Sequence, residues 1–135
     1  MKLKIANNKF LGFRKDQDGS ITAESVLWIP VYMVFFALLV DISLVFHGKA
    51  KAMRAAQDAN RHASTGYLES EDQLEALVVA GIDHFAPNAV ISTSIGTETV
   101  ATMIQIPVSD LEAVGLFGRF TDITVTVSTI HLLEV

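Results

Sequence analysis

The sequence predicts an α+β protein: a long apolar N-terminal helix running into a small head, in which one helix packs on a three-stranded antiparallel sheet. Three observations carry this expectation. Of the 21 residues from Val26 to Phe46, only Pro30, Asp41 and Ser43 fall outside the apolar class. A single short amphipathic stretch follows from Ser70, and beyond Val90 apolar residues recur at every second position. The chain has 135 residues, 50% of them apolar and only 19% charged, which bounds it to one ordinary domain. Its expected divisions are a basic leader over 1–19, a helical segment over 20–66 and a head over 67–135.

The leader comes first. Residues 1–19 hold Lys2, Lys4, Lys9, Arg14 and Lys15 against Asp16 and Asp18, for a net +3. Residues 62–135 hold Arg119 alone against ten acids, for a net −9. A basic leader, an apolar run and an acidic remainder fit an exported or membrane-anchored chain. The acidic balance (−5 overall) argues against nucleic acid as a partner, because phosphate contacts need clustered Lys and Arg.

The apolar run is long enough to make the lipid bilayer a partner. As a helix it rises about 31 Å, close to the hydrocarbon thickness of a membrane. Trp28, Tyr32, Phe35, Phe36, Leu38 and Val45 point all round that cylinder, whereas a helix in a small core has one wet side. Pro30 removes the hydrogen bond to the Val26 carbonyl, so a kink is expected there. Asp41 is an acid within the run, near enough to its far end to reach the interface. Lys49, Lys51 and Arg54 follow as headgroup anchors. Five basic residues precede the run and four follow it, which leans toward a cytoplasmic N-terminus. A cleavable secretory signal is the competing reading, with release after Ala52 at the small-x-small site Ala50-Lys51-Ala52. The stretch is too long for an ordinary signal core, and Asp41 and Lys49 lie awkwardly for it.

Just before the run stands Asp18-Gly19-Ser20-Ile21-Thr22-Ala23-Glu24. A lone Glu at the mouth of a membrane helix needs a partner, since an unpaired carboxylate is costly in lipid. A cut between Gly19 and Ser20 would create an ammonium one helical turn before Glu24, where the two charges can pair. The same amine on a neighbouring subunit would serve equally and would fix axial register. On the residues alone, Glu24 also reads as an ordinary first-turn acid at a helix N-terminus.

This arrangement resembles the signal segment of type IV pilins and pseudopilins. More narrowly, Gly19 to Arg61 resembles the TadE-like family of tight-adherence (Tad) pilus proteins. The matching elements are the Gly19-x4-Glu24 step, Pro30 inside the apolar run, Asp41 late in it, and an Ala-rich stretch, Ala55 to Gly66, that includes Arg61. Ser25 departs from the aromatic residue common after the glutamate. The resemblance implies a pilin-like fold and a minor pilin or pseudopilin, cut by a prepilin peptidase between Gly19 and Ser20, with Glu24 serving assembly or register. It implies as partners other pilin subunits and the inner-membrane assembly platform. The expected location is the inner membrane, single-pass, with the N-terminus cytoplasmic and the head outside, and the expected role is surface adherence and biofilm formation. The alternative is an uncleaved anchored module whose acidic head binds an envelope partner.

After Phe46 the helix is expected to continue to about Thr65. Ala52, Ala55, Ala56, Ala59 and Ala63 form a narrow stripe for close packing, and Gly66 suits a C-cap. Ser70 and Gln73 form a capping box for a second helix, with Leu74, Leu77, Val78, Ile82 and Phe85 on its apolar face and Pro87 as its stop. Val90–Ile95, a Gly96-Thr97 turn and the alternation from Val100 to Val108 predict a hairpin. Asp110 to Phe117 reads as a short helix or loop closed by Gly115 and Gly118, before a strand carrying Ile123, Val125 and Val127. At about 70 residues the head's core is thin, so the long helix is expected to cover one sheet face.

Catalytic patterns are missing. There is no Gly-x4-Gly-Lys, Gly-x-Gly-x-x-Gly, Gly-x-Ser-x-Gly or His-Glu-x-x-His, and no cysteine. His47, His62, His84 and His131 are scattered, and His131 reads as a partly buried, hydrogen-bonded strand residue. Neither an enzyme, a metal nor a cofactor is expected.

Overall fold

The computed structural model describes residues 18–68, 70–116 and 122–134. The leader as far as Gln17, Phe117 and the closing Gly118 lie outside the described residues. The chain divides into two compact units, Met1–Phe36 and Ala37–Val135. The α+β arrangement is present: α1 (Asp18–Ser64), α2 (Glu71–Ile82), β1 (Val90–Ile95), β2 (Thr99–Pro107), a 3-10 turn (Val108–Asp110) and β3 (Thr124–Leu132).

In the first unit, the described part is helix alone, and its apolar side chains are open on every side. Leu27 is 73% exposed and Met33 67%, which no core helix tolerates. Among the described residues one helix is long and apolar enough to cross a membrane, and its most apolar 18-residue stretch has mean hydropathy 2.3. α1 continues through Pro30 without interruption.

In the second unit, the strands order β1-β2-β3, antiparallel throughout. Val90 pairs with Gln105 and Ile95 with Val100, while Thr99 pairs with Leu132 and Pro107 with Thr124. This register puts Val100, Thr102, Ile104 and Ile106 on one buried face with Val127. Against them lie Leu74, Val78 and Ile82 of α2 and the alanines of α1. The stripe therefore packs on the chain's own head: Ala52, Ala56, Ala59 and Ala63 are all buried, and Ala55 is partly so.

The helix ends obey local chemistry. At the end of α1, Gly66 takes φ +76, with its N–H on the Ala63 carbonyl and the Tyr67 N–H on that of His62. This is a Schellman cap, and the His62 and Tyr67 rings meet edge to face 6.0 Å apart across it. At the start of α2, the Ser70 hydroxyl accepts the Gln73 N–H at 3.3 Å, as the capping box expects. α2 departs from expectation in two places. Leu77 is 40% exposed, because the buried line runs at i, i+4, i+8 through Leu74, Val78 and Ile82. The helix also ends at Ile82, a turn before Pro87, which disfavours helical geometry in the residue preceding it.

The connection between β2 and β3 carries its helical turn earlier than expected, at Val108–Asp110. Asp110 then fastens it sideways, with Oδ2 accepting the Asn88 N–H at 2.9 Å and Oδ1 accepting the Asn88 side-chain amide at 3.0 Å.

Candidate functional site

Four of the five residues singled out in the sequence belong to the first unit: Gly19, Ser20, Glu24 and Pro30. Gly19 and Ser20 lie in the opening turn of α1, which begins at Asp18. Glu24 follows one turn after Ser20, and its side chain is exposed. A turn of helix thus separates the expected cut from the carboxylate meant to receive its new amine, the spacing at which opposite charges on a helix meet. Within the second unit, Asp41 stands apart from that group in its chemistry.

Asp41 is fully buried. Its Oδ1 accepts the backbone N–H groups of Ala113 at 3.0 Å and Val114 at 2.9 Å, and its Oδ2 accepts that of Leu116 at 3.2 Å. The sequence places this acid inside an apolar run; the fold wraps the 111–116 loop around it. A carboxylate that receives three N–H donors has replaced its water shell with fixed dipoles, and the loop in turn has its donors satisfied. One face of α1 continues this docking. Val45, half-buried, lies one turn on, and Gly48 is buried against the methyl groups of Leu111.

A second polar clamp was not legible in the sequence. Asn60, fully buried on α1, accepts the Thr102 hydroxyl at 2.6 Å through Oδ1 and donates through Nδ2 to the Thr129 carbonyl at 3.2 Å. It fixes α1 against β2 and β3 together. The only sequence signal was an asparagine on the alanine face, where small apolar residues prevail. His131 departs from its expected hydrogen bonding: it is half-buried, and its Nδ1 has no partner among the described residues. No group of three or more His, Cys, Asp or Glu residues capable of holding a metal occurs among the described residues.

Residues 19–61 match the family model of TadE-like protein. The match opens at Gly19 and takes in Glu24, Pro30, Asp41 and Asn60, and it suggests a component associated with a Tad pilus. It leaves the α2 and β-sheet part of the head unmatched. No curated protein and no solved structure matches the chain.

Proposed function

We propose that this chain is a TadE-like minor pilin or pseudopilin that acts in assembly of a Tad-type pilus and has no enzymatic activity. In this reading a prepilin peptidase cuts between Gly19 and Ser20. The mature protein is held in the inner membrane by α1, with its N-terminus cytoplasmic and its head outside, where it meets other pilin subunits and the assembly platform. Surface adherence and biofilm formation follow from the pilus it helps to build. One observation carries the reading: the family match begins at Gly19, one turn and a residue before Glu24, at the mouth of an exposed membrane-length helix. Cleavage there requires the opening turn of α1 to unwind, which costs little because helix ends fray.

The helical backbone across Gly19 and Ser20 favours one second reading, an uncleaved anchor whose acidic head binds an envelope partner. Two variants separate them. Gly19→Val should accumulate as a full-length species on immunoblots, whereas Glu24→Val should mature normally yet fail to co-purify with other pilus subunits. Normal maturation of Gly19→Val contradicts processing at this site.

A further inference from the structure

The base of the head carries an apolar surface that the pilus reading leaves unexplained. Loops are ordinarily polar, yet residues 113–116 read Ala-Val-Gly-Leu. Val114 is 49% exposed, and Ile123, where the chain returns toward β3, is 46% exposed. Beside them, Ile42 and Phe46 of α1 face solvent, and Ile42, Val45, Phe46, Val108, Ile123 and Val125 line a shallow groove with no polar atom exposed in it.

Irregular backbone is excluded from lipid unless its polar groups are satisfied by protein. For three of its N–H groups this loop meets that condition through Asp41, whose carboxylate takes up those of Ala113, Val114 and Leu116. Asp41 itself lies five residues before Phe46, the end of the apolar run, so the loop is held against the helix within that run. Directly beyond come Lys49 and Arg54, both exposed, in a chain whose remainder is acidic. Cations at that height complement anionic headgroups.

We propose that the base of the head is a second membrane contact: Val114 and Ile123, with Ile42 and Phe46, seat among phospholipid acyl chains of the leaflet on the head's side, under headgroups held by Lys49 and Arg54. The contact rests on α1 spanning the bilayer. It gives Asp41 a purpose that a bare anchor lacks, since the carboxylate bonds three loop N–H groups that lipid would leave bare. A head seated this way is held close to the membrane and must be lifted out of the leaflet before leaving it.

The chain has no cysteine, so single introduced cysteines report cleanly. The full chain would carry an environment-sensitive fluorophore at Val114→Cys, Ile123→Cys, Met33→Cys or Met103→Cys, all exposed positions. Each variant, checked for native circular dichroism, is reconstituted into phosphatidylethanolamine and phosphatidylglycerol vesicles. Quenching by nitroxide-labelled phospholipid is then compared with quenching by iodide present on both sides. The proposal expects labels at 114 and 123 to lose iodide quenching and gain lipid quenching, as at 33, while 103 responds to iodide alone. Lipid quenching at 33 with iodide quenching at 114 and 123 overturns the seated head but leaves the span intact. Iodide quenching at 33 overturns the span, and the contact with it. Labels at 114 and 123 shielded from both quenchers and self-quenching would place a second copy there instead, which also overturns the proposal.

Discussion

Asp41 and Asn60 show how much a single polar side chain decides when its partners lie far along the chain. The Asp41 bonds span 72 to 75 residues of sequence and the Asn60 bonds 42 and 69, so neither could be read from local spacing. What the sequence did display was the anomaly itself, an acid and an amide where apolar or small residues prevail. Asp41→Ala strands three loop N–H groups and should lower the thermal midpoint of the purified protein more than Asp41→Asn, which keeps an acceptor oxygen. Equal midpoints for the two variants would contradict this cradle. Asn60→Ala leaves Thr102 and Thr129 short of a partner and should cost roughly 1–3 kcal/mol in denaturant unfolding. Adding Thr102→Val to Asn60→Ala should recover part of that loss, because removing both partners of a buried bond costs less than removing one.

At the scale of elements, the features with a local cause were legible and those with a tertiary cause were not. The strands at Val90–Ile95 and around Val125 followed from alternation, and the α2 start from the Ser70 cap. Leu77 reads as apolar-face by period, yet tertiary packing selects the Leu74, Val78 and Ile82 line and leaves it exposed. The alanine stripe reads as a surface for close packing with no partner specified, and the chain's own head supplies that partner. Its tolerance is narrow because the interior is close-packed. Ala56→Leu should therefore destabilise by about 1–3 kcal/mol through overpacking. Gly66→Ala, at φ +76 in the α1 cap, should cost about 1–2 kcal/mol from left-handed strain. Chemical denaturation of both variants checks these values, and an unchanged midpoint for Ala56→Leu would contradict tight docking of α1 on the sheet.

For the whole molecule, the segregation of charge and hydropathy was the most legible property of all. It rests on composition over tens of residues, which tertiary packing cannot rearrange. The helix long and apolar enough to cross a membrane, the basic N-terminal stretch and the acidic remainder all follow from it, and the family match over residues 19–61 suggests the pilus connection. Reading stops at the head, where the alternation and the Ser70 cap give the elements but the sequence from Tyr67 onward shows no functional motif. The central claim concerns the start of the mature chain, where a freed amine would meet Glu24. Intact mass of the protein purified from membranes of the organism that makes it tests this most directly. The account predicts a mature N-terminus at Ser20; a mass that retains Gly19 and the residues before it, or one that begins at Met53, would contradict it.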